Sequence, residues 1–232
     1  MNFELKNIFL VFILTCIFAS CSSDAFVHVK DGRFSLSDKE YNYIGCNYWY
    51  GGYIGTSDKE RLHKELDFLQ KQNVTNLRVF ISGEGDSSYP YRISPSIQER
   101  PREYNEELLK GFDYFLVEAA KRNMKIVLVL NNNWEWSGGF GQYLEWAGKT
   151  NPPLPKTATW DWNNYCTYIS QFYSCDSCLE WSNTWIKKVI TRTNSVNGKA
   201  YAEDECIMAW ELANEPRPMD SGATEAYKSW VS

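Results

Sequence analysis

Ile207-Met208-Ala209-Trp210-Glu211-Leu212-Ala213-Asn214-Glu215-Pro216-Arg217 reads as an apolar strand that delivers an amide and a carboxylate side by side where it stops. Pro216 cannot donate to a sheet ladder, so it ends the strand and stiffens its exit. These residue types suit cleavage of a glycosidic bond. That reaction needs a carboxylic acid to protonate the leaving oxygen and a second carboxylate to stabilise or capture the oxocarbenium ion. Glu215 is the candidate acid, and Asn214 stands where it can hydrogen-bond a sugar hydroxyl near the reacting carbon.

Upstream, strands and helices alternate. Phe26 to Leu36, turning at Lys30-Asp31-Gly32-Arg33, predicts a hairpin, and Tyr43 to Tyr48 a first buried strand. Ser57-Asp58-Lys59-Glu60 has the capping-box form, with Leu62, Leu66 and Leu69 at helical spacing, so a helix is expected to about Gln72. Asn76 to Ile81 is the next strand. It carries Arg78, a charge that needs a partner if buried. Asn105 opens a second helix bearing Leu108, Leu109, Phe112, Leu116 and Ala119, and Lys125 to Leu130 is a near-continuous apolar strand of the kind covered on both faces. Ser177-Cys178-Leu179-Glu180 repeats the capping form before Trp181, Trp185, Val189 and Ile190, and Cys206 to Leu212 forms the fourth strand.

That βαβαβαβ order fits a doubly wound sheet or a (β/α)8 barrel. No glycine-rich phosphate fingerprint follows the first strand, which removes the main support for a dinucleotide fold. All four strand ends carry polar or aromatic groups instead: Tyr48 to Tyr53, Ser82 to Asp86, Asn131 to Trp136, and Asn214-Glu215. In a barrel these ends converge on the face that holds the active site.

The stretch Ile207 to Arg217, together with Leu77-Arg78-Val79-Phe80 and the Asn-rich segment before Trp134, resembles glycoside hydrolase family 5, and within it the endo-β-1,4-mannanases. The resemblance runs from Gly32 through Arg217. It implies a TIM barrel, Glu215 as general acid/base, and Asn214 as its substrate-binding neighbour. It further implies Arg78 as the second-strand arginine that hydrogen-bonds near the nucleophile, and Trp134 as an aromatic of the substrate cleft. Trp49 is placed to serve similarly. The implied substrate is β-mannan or a related polysaccharide, with no cofactor and no metal; cellulose stays an alternative because the family shares its core machinery. The family takes its nucleophile from a glutamate at the seventh strand, whereas Ser232 comes shortly after the fourth, and neither His28 nor His63 replaces the later histidine by position. Only about the first half of the barrel is therefore expected here. The nucleophile is expected beyond Ser232, and residues 1–232 alone are expected to show no turnover.

Composition agrees with a carbohydrate enzyme without requiring one. The 232 residues are 44% hydrophobic and 16% aromatic, with ten Trp, enough for one sizeable core and for sugar-stacking surfaces. A net charge of −5 without a Lys/Arg block argues against nucleic acid. The segment Asn131 to Thr159 is long for a barrel loop and is expected to wall one side of a cleft, with Glu135 and Glu145 in solvent or loop roles.

At the N-terminus, Lys6 and the apolar run Ile8 to Ala19 read as an export signal over residues 1–21, leaving residues 22–232 as the half barrel. Phe18-Ala19-Ser20-Cys21 has the form of a lipoprotein processing site, making Cys21 a candidate lipidated residue and the outer membrane or cell surface its location; ordinary cleavage and secretion is the alternative. Past Cys21 the cysteines are Cys46, Cys166, Cys175, Cys178 and Cys206. Cys175-Asp176-Ser177-Cys178 is read as a local disulfide or free thiols rather than a redox or metal motif, since no second pair accompanies it. A non-catalytic glycan-binding lipoprotein, an inactive fragment and a thiol oxidoreductase are the competing functional classes.

Overall fold

The computed structural model describes residues 25–89, 92–150, 152–154 and 160–232. The signal segment with Cys21, and part of the long segment before residue 160, lie outside the described residues. The chain divides after Asn42. In the first unit, strands β1 (His28–Lys30) and β2 (Arg33–Leu36) pair antiparallel, with Lys30 opposite Arg33. Asp31 and Gly32 turn between them at φ 53° and 75°, the left-handed pair that a two-residue hairpin loop needs. A third strand, β3 (Lys39–Glu40), extends this ribbon on the far side of β2.

The second unit is built on four parallel strands: β4 (Ile44–Asn47), β5 (Val74–Phe80), β8 (Lys125–Val129) and β9 (Ile207–Glu211). A short ribbon of β6 (Gln98–Arg100) and β7 (Glu103–Tyr104) lies between the second and third. The sheet order is β4-β5-β8-β9, so each strand lies beside the one before it. A doubly wound sheet reverses direction at a switch point; this sheet never does, and sequential order is that of a barrel wall.

Alternation sorts the side chains. Leu77, Val79, Ile126 and Leu128 face outward and are fully buried under α2 (Lys59–Lys71), α3 (Glu106–Lys121) and α6 (Asp176–Ile190), whose Leu62, Leu66, Phe112, Leu116, Trp185 and Val189 complete the core. In register on the other face are Arg78, Val127 and Ala209, with Glu211 one step further along β9.

Helix starts differ in part from expectation. Asn105 caps α3 as predicted, accepting from the Leu108 amide at 3.1 Å. The cap of α2 is Asp58 rather than Ser57, accepting from the Arg61 amide at 2.9 Å. Ser57 is occupied as the last residue of an unpredicted helix, α1 (Gly51–Ser57). Glycines there weaken helix propensity, but packing decides: a Cβ on Gly55 would stand 2.3 Å from the Gly111 carbonyl oxygen, so α1 and α3 touch backbone to backbone. Cys175, not Ser177, precedes α6, and a Cys175–Cys178 disulfide closes its first turn.

The long third connection is not a bare loop. It holds a 3₁₀ turn (Glu135–Ser137) and helix α4 (Gly139–Trp146), and a further helix, α5 (Trp162–Ser170), follows. Strand β9 ends at Glu211 rather than at Pro216, because beyond it only a single bridge, Asn132 to Asn214, continues the pairing with the neighbouring strand end.

The approach to β9 is held by Asp113 of α3, fully buried, which accepts from Arg192 (2.8 and 2.7 Å), Ser195 (2.7 Å) and Tyr201 (2.7 Å). Burial pushes the carboxyl up, but the hydrogen bonds from Arg192, Ser195 and Tyr201 outweigh it and hold its pKa below the ordinary aspartate value. Asp113→Ala removes one of the two carboxylates on the largely buried Arg192, leaving it Glu106 at 2.9 Å, and strands the Ser195 and Tyr201 hydroxyls; it is expected to cost about 3 kcal/mol in urea unfolding at neutral pH. A group with a lowered native pKa stabilises above its unfolded value and loses this as pH falls through the native one, so the deficit shrinks in acid. A loss below about 1 kcal/mol at pH 7 would show that the cluster does not hold this region.

Candidate active site

Arg78 gathers three strand ends. Its Nε donates to both oxygens of Glu211 at 2.9 and 3.0 Å, its Nη2 donates to Glu211 Oε2 and to Asn214 Oδ1 (3.0 Å), and its Nη1 donates to Asn47 Oδ1 at 3.4 Å. The planar guanidinium suits this work, presenting rigid donors to a carboxylate on one side and an amide on the other. Asn214 then donates through Nδ2 to Asn132 Oδ1 at 3.0 Å, at the end of the third strand.

Glu215 follows with φ at +48°, the left-handed region that non-glycine residues seldom occupy, so the backbone turns sharply at the candidate acid. Two donors reach its Oε2: the indole Nε1 of Trp134 at 2.8 Å and Arg217 Nη2 at 3.3 Å. Trp134 is itself held flat, its ring centroid 5.8 Å from that of Tyr165 with planes 7° apart, and Trp162 stacks at 6.0 Å. Tyr165 is locked by donating its hydroxyl to the Asn133 carbonyl at 2.9 Å. The Glu215 side chain remains 55% exposed, open to an incoming ligand.

Arg78 bonds Asn214 and Trp134 bonds Glu215, and the two pairs meet at the Asn214–Glu215 peptide, so the structure brings these four candidate residues together. Trp49 sits in a different aromatic group at the first strand end, edge-on to Trp136 at 6.1 Å and 40% exposed. Glu145 accepts from the Tyr89 hydroxyl at 3.4 Å and faces Arg92 at 4.0 Å, a wall contact. Sequence reasoning missed Glu211, Asn132, Tyr165 and Trp162. Only Glu211 left a signal: an arginine inside an apolar run demands an acidic partner, and Glu211 lies on the same run as Glu215.

A family model described as "GH family 5 beta-mannosidase-like" matches residues 24–232. The chain belongs to glycoside hydrolase family 5. Mannan endo-1,4-beta-mannosidase 1 of Solanum lycopersicum is 29% identical over 225 residues, covering 95% of this chain and 51% of that relative. The Arabidopsis thaliana mannan endo-1,4-beta-mannosidase 1 is 34% identical over 154 residues, covering 66% and 32%. Among solved structures, a family 5 mannosidase from Rhizomucor miehei superposes with a TM-score of 0.78 at 35% identity, over 85% of this chain and 50% of that one. This family 5 chain spans about half the length of the relatives it matches, and its four-stranded sheet is the corresponding half of a (β/α)8 barrel.

Beyond the end of β5 lies a further carboxyl, Glu84, which is buried. It accepts from the Gly139 amide (2.9 Å), the Gly83 amide (3.2 Å) and the Ser82 hydroxyl (3.3 Å). Burial pushes its pKa up to about 7, only partly offset by those donors. The native state therefore holds this proton more tightly than the unfolded chain, whose ordinary value is 4.5. Its contribution is full below the unfolded pKa and is lost as pH rises through about 7. Urea unfolding between pH 4.5 and 8 is expected to lose on the order of 3 kcal/mol from this group. Glu84→Gln should flatten that slope; parallel curves for the two proteins would refute the assignment.

Proposed function

We propose that the full-length protein is a retaining glycoside hydrolase that cleaves internal β-1,4-mannosidic bonds of mannan-type polysaccharide. The observation that carries this reading is the Glu215 carboxylate fixed by the Trp134 indole, one residue from an amide bonded to Arg78. In the first step Glu215 gives its proton to the glycosidic oxygen while a second carboxylate, supplied by chain beyond Ser232, attacks the anomeric carbon. Water then cleaves the glycosyl ester, with Glu215 taking the proton back as base. Retention requires the two carboxyls about 5–5.5 Å apart.

The remaining residues orient. Asn214 uses one N–H on Asn132, leaving the other for a sugar hydroxyl beside the reacting carbon. The exposed ring of Trp162, stacked against Trp134, offers an apolar wall suited to a sugar's C–H face. The substrate class is supported by relatives named as mannan endo-1,4-beta-mannosidases and by a net charge of −5 without a Lys/Arg run in the sequence. Glu215→Ala in the full-length protein is expected to lower kcat on mannan by at least about 100-fold, as loss of a general acid/base does. Undiminished cleavage of mannan by that variant would remove Glu215 from the reaction.

We further propose export as a lipoprotein through Cys21, which would tether the enzyme where polymeric substrate meets the cell. Metabolic labelling with a radioactive fatty acid is expected to mark the protein and to fail for Cys21→Ser. Equal labelling of both would place the lipid elsewhere or nowhere.

A further inference from the structure

Asn132 follows β8 and is fully buried. One atom, Oδ1, accepts twice: from Asn214 Nδ2 at 3.0 Å and from the Trp134 backbone amide at 3.1 Å. Its Nδ2 donates to Ser137 Oγ at 3.0 Å. Ser137 Oγ is 3.4 Å from Ser82 Oγ, and Ser82 donates to Glu84 Oε2 at 3.3 Å.

The donor types orient every amide in this row. Arg78 can only donate, so the oxygen of Asn214 must face it and the nitrogen must face Asn132. A backbone N–H reaches the same Asn132 oxygen, so the Asn132 nitrogen must face Ser137. Donation runs one way, from the Arg78 cation to the buried Glu84 carboxyl, across the ends of three strands.

We propose that Asn132 is a positioning residue that, through this single oxygen, sets both the Asn214 amide and the chain segment placing the Trp134 indole on Glu215. The proposal rests on the glycosidase reading above. Amide torsions are broad and nearly two-fold, so Arg78 alone leaves the nitrogen end of Asn214 free to swing. Asn132 removes that freedom, and its bond to the Trp134 backbone amide fixes the start of a side chain whose two torsions carry the indole to the acid. A residue that only filled space would stabilise the fold without coupling to Asn214.

A double-mutant cycle in the full-length protein separates these roles. Asn132→Ala is expected to lower kcat on mannan by about 10- to 100-fold, the scale of a misplaced catalytic constellation, with KM changed by less than about threefold. In an Asn214→Ala background the same substitution should cost at least about threefold less than in the parent, because one of the two groups it acts through is gone and only the Trp134 segment remains. Asn132→Asp, which keeps the accepting oxygen, should recover most of kcat. Additive losses, or an Asn132→Ala protein with parental kcat, overturn the proposal. If Asn132→Ala does not fold, Ser137→Ala takes its place, with the same non-additivity against Asn214→Ala expected. A parent protein inactive on mannan refutes the glycosidase reading instead. Hydrogen exchange of the Trp134 indole N–H then decides: it should speed up at least about tenfold in Asn132→Ala while Trp185, whose indole donates to the Leu130 carbonyl at 2.8 Å, stays protected. Equal exchange at Trp134 in parent and variant overturns positioning.

Discussion

A guanidinium on the face of a parallel sheet turned away from its helices is costly unless it is paired, and Arg78 meets that condition through Glu211, Asn214 and Asn47. Its partner Glu211 is not on a neighbouring strand: β8 lies between, and Val127 is the residue opposite Arg78 there. The arginine therefore spans a strand, which fixes how far β9 slides along β8. A one-residue slip would turn Glu211 outward into apolar helices and leave the cation unpaired. Everything at the site inherits that register, since Asn214 and Glu215 follow Glu211 by three and four residues. The same guanidinium also reaches Asn47 on the far side, so the ends of β4, β5 and β9 share one charge.

How much of this was legible follows from where the determining forces act. Apolar runs and helical spacing marked the four strands and their covering helices; the signature is fullest in β5 and β8, the inner strands, whereas β4, expected to be buried, is mostly exposed at the sheet edge. Chemistry was legible where one residue type has few uses: an Asn-Glu at a strand end, an arginine inside an apolar run. What stayed hidden was pairing. Ser57-Asp58-Lys59-Glu60 offers two capping residues, and only the packing of Gly55 against Gly111, which extends a helix through Ser57, hands the cap to Asp58. Arg78 announced that it needed an acid, but choosing Glu211 requires the strand order. Asn131, Asn132 and Asn133 look alike in sequence; their distinct tasks come from three different neighbours, Ser182, Asn214 and Tyr165.

The candidate acid is held quite differently from its amide neighbour. Asn214 is fastened from beneath by charge and by the buried row that ends at Glu84. Glu215 turns out of that row through a left-handed backbone and meets its donors from above, an indole and a guanidinium at the cleft wall. A carboxyl that must lend and reclaim a proton benefits from this division, because its backbone is fixed by the strand end while its oxygens stay open to substrate. The strained turn is held by the Trp134 indole and Arg217, with Trp134 itself backed by Tyr165 of α5. On the proposed glycosidase reading, the binding half of the site is preorganised by residues of this chain, and a second carboxylate would approach the anomeric carbon from the opposite side of a sugar placed by Asn214, Trp134 and Glu215.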